Sequence, residues 1–425
     1  MKARRAVAGA VVMAALAMGA WWWLRPLGHA PVARAASTVS AASLHDPALI
    51  ARGTYLALTA DCAGCHTAKG GTAYAGGRRL PTPFGNVAVP NLTPDAATGL
   101  GAWSFEDFWQ ALHTGIGRDR QPLYPAFPYT SYTRMTRDDA LAIFAYLQSL
   151  PAVRQAAPSS ELAFPYDQRR LLRLWRALYF RPGPAAPVAG DRGAYLVDAI
   201  GHCAECHAPR NRFGATRHRA LLTGGEIPAQ HWFAPDLAAS PHGGLAGWRE
   251  RDIVDLLKMG QAARGAAFGP MADVVRGSTQ YLTAADLNAI AAHLVALPPR
   301  QVPGPGWQLF DARRLVAHGE EVYRKRCADC HGDDGRGVAG VYPPLAGNAS
   351  VTEPSGINAI RIVLLGGFAP TTVTNHRPYS MPPYQQTLDD VDVASVVSYV
   401  RAMWGNRAGA VSPQDVARYR HTPVE

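Results

Sequence analysis

Cys62-Ala63-Gly64-Cys65-His66, Cys203-Ala204-Glu205-Cys206-His207 and Cys327-Ala328-Asp329-Cys330-His331 are three copies of one pattern, and they use all six cysteines of the chain. The C-x-x-C-H spacing is the attachment signature of c-type haem. Two thiols one helical turn apart can add to the two vinyl groups of one porphyrin, and the adjoining histidine then lies under the iron as its fifth ligand. Three other chemistries use paired cysteines, and each fits less well. Structural zinc takes four ligands, usually from two neighbouring pairs, and these pairs stand more than a hundred residues apart. A disulfide framework gives no reason for a histidine after every pair. A thioredoxin-like pair belongs in a βαβ context, which is absent, and not in three copies. The reading is three covalently bound haem c groups, tethered by Cys62, Cys65, Cys203, Cys206, Cys327 and Cys330, with His66, His207 and His331 on the irons.

The surroundings repeat with the motif, as in a duplicated module. Arg52-Gly53-Thr54-Tyr55-Leu56 precedes the first pair, Arg192-Gly193-Ala194-Tyr195-Leu196 the second, and Gly319 with Tyr323 the third. Each reads as a helix running into the attachment turn, and Asp46-Pro47 supplies an N-cap followed by proline at the first helical position. Each copy ends in an apolar-periodic helix introduced by a capping residue: Thr136 to Leu150, Thr283 to Leu297, and Thr387 or Asp389 to Trp404. Gly99-Leu100-Gly101-Ala102-Trp103 matches Gly244-Leu245-Ala246-Gly247-Trp248, each opening a further helix, with the tryptophan expected to pack on the porphyrin edge. The predicted division is 44–150, 187–298 and 311–405 as three domains. Proline-rich linkers at 151–186 and 299–310 separate them, and a tail follows at 406–425.

Iron that only passes electrons is closed on both faces, and methionine opposite histidine raises the potential by favouring ferrous iron. Met381 stands in the proline-fixed loop Tyr379-Ser380-Met381-Pro382-Pro383-Tyr384, and Met271 follows Phe268-Gly269-Pro270 and precedes its closing helix by a loop. Met259 falls on a predicted helix and reads as core. In the first copy the loop Tyr124-Pro125-Ala126-Phe127-Pro128-Tyr129 carries phenylalanine, which cannot bind iron. Met135, the only methionine between Cys62 and the end of that copy, is the candidate there, with His113 or an open site as alternatives.

The chain has 425 residues, 48% hydrophobic and 17% charged, with 41 glycines and 34 prolines, which fits an ordered, loop-rich protein and excludes a disordered or collagen-like one. Of the formal charge of +10, Lys2, Arg4, Arg5, Arg25 and Arg34 lie in the first 35 residues, where there is no acid, so +5 remains for the rest. That is weak support for nucleic acid and better support for an acidic protein partner. The basic flank, the apolar stretch Ala6 to Leu24 and Ala33-Arg34-Ala35 read as an export signal over 1–35, cleaved or retained as an anchor. The periplasmic side of the inner membrane is the compartment this implies. Inside the first linker Leu171, Leu172, Leu174, Trp175 and Leu178 alternate with Arg169, Arg170, Arg173 and Arg176. This segment could lie on a membrane surface or pack against a neighbouring domain or subunit.

From residue 44 to 420 the chain resembles the triple-haem cytochrome c subunits of membrane-bound bacterial dehydrogenases for alcohol, gluconate, sorbitol and fructose. The resemblance rests on the three attachment sites together with Thr82-Pro83-Phe84-Gly85, Asn91-Leu92-Thr93-Pro94-Asp95, Trp103-Ser104-Phe105-Glu106-Asp107-Phe108, Val341-Tyr342-Pro343-Pro344-Leu345-Ala346-Gly347-Asn348 and Trp404-Gly405-Asn406. It implies a mainly α fold of three tandem class I cytochrome c domains. A catalytic dehydrogenase subunit carrying flavin, pyrroloquinoline quinone or molybdenum is the implied partner, with a small third subunit in some assemblies and ubiquinone as acceptor. Met271 and Met381 match the family's ligand positions; Phe127 departs from its Pro-Ala-Met-Pro-Tyr. No nucleotide-binding glycine motif and no nucleophile with a base stands out, so chemistry at carbon falls to the partner. The rival functions are a haem peroxidase using an open first haem and a free soluble electron shuttle.

Overall fold

The computed structural model describes residues 13–14, 18–19, 41–183, 191–217, 220–227, 229–240, 243–300 and 312–422. All but four residues of the expected export signal and most of the second linker lie outside them. The described chain is mainly helical with long loops and small antiparallel strand pairs. One arrangement occurs three times. A leading helix runs into a C-x-x-C-H turn and is crossed by a closing helix: Pro47–Thr59 by Arg137–Ser149, Arg192–Tyr195 by Ala284–Val295, and Ala312–Arg326 by Asp390–Ala402.

Glycine makes each crossing. A Cβ on Gly53 would lie 1.9 Å from the Ala142 carbonyl oxygen, on Gly193 2.1 Å from that of Ala289, and on Gly319 2.0 Å from that of Ser395. Only the residue without a side chain lets the two backbones approach this closely. Capping fixes the register of the closing helices. The side chains of Thr136, Thr283 and Asp389 accept from the backbone N–H three residues on, at Asp139, Asp286 and Asp392. In the third copy Asp389 and not Thr387 is the cap, because the Thr387 and Leu388 amides still close a turn on Tyr384. Asp46 caps the first leading helix with Pro47 at its first position, as expected.

The apolar core is not divided in three. One continuous cluster joins Leu56, Phe108, Phe144 and Leu147 of the first copy to Leu196, Ile200, Leu287 and Ile290 of the second. The third copy has its own, around Tyr323, Ile360, Leu364, Val397 and Val411. The join between the first two copies is reciprocal. Tyr55 donates to Asp286 (2.6 Å) and accepts from the Thr283 amide; Tyr195 donates to Asp139 (2.6 Å) and accepts from the Thr136 amide. Each aspartate also receives the arginine of its own copy, Arg52 on Asp139 and Arg192 on Asp286. Hydrogen bonds to a carboxylate in this setting contribute about 1.5 to 3 kcal/mol each.

The third copy keeps half of this latch. His318 sits 2.7 Å from Asp392, in the place of the arginine, but the residue two beyond Gly319 is the exposed Glu321. Tyr323, matched by sequence to the tyrosines of the other copies, is instead a buried residue that donates to the Gly332 carbonyl (2.6 Å). The third copy docks on the second through Asn358, which exchanges two hydrogen bonds with the Phe233 backbone, and through Arg361, 4.7 Å over the Trp232 ring.

The stretch from Pro151 onward is no free tether. Glu161–Leu162 adds a third strand to the hairpin Arg79–Thr82/Gly85–Ala88, and helix Leu172–Tyr179 straddles the seam between the first two copies. Arg176 reaches the Thr114 carbonyl on one side, and the Trp175 indole donates to Phe213 on the other (2.8 Å).

Candidate functional site

The three C-x-x-C-H turns are built alike. Asp61 and His202 hold left-handed backbone (φ 47° and 41°), which breaks the leading helix and starts a new turn at the first cysteine. The His207 amide then closes on the Cys203 carbonyl (2.9 Å) and the His331 amide on that of Cys327 (3.0 Å), so thiols and imidazole project from one short turn. All six cysteines are free. Burial pushes Cys62 and Cys203 up to about 12 and Cys206 and Cys327 up to about 11, so these thiols are uncharged at neutral pH. Among the described residues no group of three or more His, Cys, Asp or Glu is placed to hold a metal ion by itself.

Each motif histidine has its Nδ1 on a proline carbonyl: His66 on Pro90 (2.8 Å), His207 on Pro235 (2.7 Å) and His331 on Pro343 (3.1 Å). A carbonyl only accepts, so Nδ1 carries the proton and Nε2 is left with its lone pair. Burial lowers all three histidines below the ordinary imidazole range, His66 to about 4, against the smaller opposing pull of that bond. Each ring is therefore neutral, oriented by a second partner and ready to ligate through Nε2. The free thiol pair beside such an imidazole is the donor set that covalent haem requires. Sequence reading found the histidines and missed Pro90, Pro235 and Pro343, whose only signal is a proline 12 to 28 residues after each motif.

The first two turns lie against each other. His202 approaches the Ala60 carbonyl through Nε2 (3.2 Å), Tyr132 donates to the same carbonyl (3.4 Å), and Ser278 donates to that of Thr59 (3.1 Å). Trp103 and Trp248, the matched tryptophans, pack against the shared core, and the buried Trp248 indole N–H has no protein partner. That leaves a donor for a group other than protein.

The methionines sit differently from one another. Met271 is in the first turn of helix Pro270–Gly277, and Met381 ends the short strand Ser380–Met381; both are half-buried. Met259 ends helix Glu250–Met259. Met135 is 1% exposed in the shared core, one residue before the Thr136 cap. Phe127 packs its ring 5.7 Å from Tyr132. His113 stacks on Trp109 at 4.8 Å.

A fold of this kind with such thiol and imidazole pairs defines a c-type cytochrome. Residues 50–151 and 316–404 match the Cytochrome c family. The cytochrome c subunit of the quinone-type alcohol dehydrogenase of Gluconacetobacter polyoxogenes is 38% identical over 89% of this chain and 85% of its own length. The gluconate 2-dehydrogenase cytochrome c subunit of Pantoea cypripedii is 35% identical over 90% and 93%. A diheme cytochrome c-type protein of Cereibacter sphaeroides is 36% identical over 69% of this chain and 99% of its own length. The chain belongs to the family of dehydrogenase cytochrome c subunits, and membership implies covalently bound haem c.

Proposed function

We propose that this protein is a three-haem electron relay of three tandem class I cytochrome c domains. It takes electrons from a catalytic dehydrogenase subunit and delivers them to ubiquinone on the periplasmic side of the inner membrane. The observation that carries the reading is the threefold recurrence of a neutral histidine, pinned at Nδ1 by a proline carbonyl, beside a free thiol pair. Bound haem supplies a reversible one-electron iron couple. The chain would tether it through the cysteines and hold its iron through Nε2 of His66, His207 and His331, with Met271 and Met381 as the further ligands in the second and third domains. The adjacency of the first two turns supports direct passage between those two sites.

The dehydrogenase partner is supported by the relatives, which are named as cytochrome subunits of such enzymes. Among the described residues no helix is long and apolar enough to cross a membrane. Support for contact with the membrane comes from helix Leu172–Tyr179 and the residue before it. Arg173 and Arg176 face the protein while Leu171, Leu174 and Leu178 point outward, 37%, 53% and 64% exposed. No acid occurs from Gln168 to Gly190, and Arg170 and Arg181 are exposed at the rim. An apolar stripe flanked by exposed arginines suits an anionic lipid surface.

The test is purification of the native complex followed by addition of alcohols, gluconate or fructose while haem absorbance is recorded. The reading expects a companion dehydrogenase and prompt haem reduction by its substrate, reoxidised by a soluble ubiquinone analogue. A chain isolated without a dehydrogenase, or haem that stays oxidised with the companion active, would contradict it.

A further inference from the structure

The three closing helices allow the copies to be superposed residue by residue from their caps, Thr136, Thr283 and Asp389. The residue before the cap is Met135 in the first copy, Leu282 in the second and Leu388 in the third. All three are buried, at 1%, 3% and 7% exposure. A buried apolar residue just before an N-cap is a helix staple, which fixes the angle at which the chain enters the helix. The second and third copies fill that position with leucine and carry Met271 or Met381 in addition. The first copy has one methionine between Cys62 and Leu150, and the staple has claimed it.

The other candidate on this side also has a counterpart. Counting from the matched tryptophans Trp103 and Trp248, His113 corresponds to Lys258, and from the caps Thr133 corresponds to Gln280. Lys258 donates to the Gln280 carbonyl, and the His113 ring lies beside the Thr133 backbone with its buried Nδ1 unpartnered. The histidine thus occupies the same place between two segments, with its ring stacked on Trp109. Met381-Pro382-Pro383-Tyr384 in the third copy is answered in the first by Phe127-Pro128-Tyr129, where the side chain before the proline is a hydrocarbon.

We propose that the first domain offers its haem no side-chain ligand opposite His66, and that this face accepts a small neutral exogenous ligand of the carbon monoxide class. The inference rests on the haem reading above and on Met135 and Phe127 being apolar fillers. Phe127, packed on Tyr132, has a ring that can neither donate a lone pair to iron nor exclude a diatomic by binding there itself.

The experiment is titration of the dithionite-reduced holoprotein with carbon monoxide, with haem counted on the same sample and potentials measured by redox titration. Wild type is expected to bind one carbon monoxide per chain. Met135→Leu should leave haem count, carbon monoxide stoichiometry and all potentials unchanged. Phe127→Met should abolish the binding and raise one potential, because thioether favours ferrous iron. Wild type that binds none, or a Met135→Leu protein that gains a carbon monoxide site or loses potential at one haem, would overturn the inference. A full complement of haem with no open iron defeats only this step; a chain without haem defeats the electron-relay reading itself.

Discussion

The first two copies and the third are built from the same parts and held together in different ways. Tyr55 and Tyr195 reach across to the aspartate of the opposite closing helix, and the apolar cluster beneath them is continuous. In the third, Glu321 faces water where a tyrosine would stand, and the core closes on itself. The contrast teaches that one local rule, glycine under a closing helix capped by Thr or Asp, makes each copy. One extra residue type, a tyrosine two beyond the glycine, then decides whether a copy has a twin.

The most drastic way to probe this contrast is Gly53→Ala against Gly319→Ala. Either methyl would overlap a backbone carbonyl at about 2 Å and should cost about 3 kcal/mol or more. The expected outcome in calorimetry is that Gly53→Ala lowers a transition shared by the first two copies while Gly319→Ala lowers that of the third alone. A single transition moved equally by both would erase the distinction. Next in size, Asp139→Ala removes the acceptor of both Arg52 and the Tyr195 hydroxyl, leaving a buried donor unpaired, for about 3 kcal/mol. Asp392→Ala removes only the partner of His318, an exposed pair contributing about 1 kcal/mol or less. Equal losses would show that the latch is ornamental.

The linker helix belongs to the twinned half only, and its leucines sharpen the contrast further. With Leu174→Gln and Leu178→Gln together, affinity for phosphatidylglycerol vesicles should fall about tenfold. Hydrogen exchange of residues 169–181, slowed by vesicles in the parent protein, should no longer be slowed. Protection that appears only with the dehydrogenase subunit would assign the stripe to protein instead. The smallest effect concerns Asp61, beside the first attachment turn, whose carboxyl burial raises to about 7 from the usual 3.8, with an oxygen left unpartnered. Its folded form prefers the proton, so the stability it lends is whole below about pH 4 and is lost as pH rises through 7. Asp61→Asn should therefore raise the melting temperature at pH 8 and leave it nearly unchanged at pH 4. A gain equal at both would show that charge is not the cause.

Sequence carried far where a residue's chemistry is local. The C-x-x-C-H turns, the Thr136 and Thr283 caps and the Asp46-Pro47 start are short-range features, and the structure forms the turns and caps as read. What was illegible depends on residues distant in the chain. The proline carbonyls behind the histidines lie up to 28 residues on, and backbone oxygens carry no sequence signature. The tyrosine latch spans 231 residues from Tyr55 to Asp286. Tyr323 shares a motif neighbourhood with Tyr55 and Tyr195 but not their place, because spacing alone does not say which face of a helix meets a neighbour. The strands were invisible for a simpler reason: at two to four residues they are too short for an alternating pattern to appear.

An electron relay of this kind requires three irons tethered to one polypeptide, one at each Cys-x-x-Cys-His turn. Intact-mass measurement of the holoprotein, with haem-bearing peptides sequenced after digestion, tests this. Three haem additions per chain, on peptides containing Cys62 and Cys65, Cys203 and Cys206, and Cys327 and Cys330, are the expected result. A mass carrying fewer, or any of these peptides recovered with both thiols unmodified, would contradict the account.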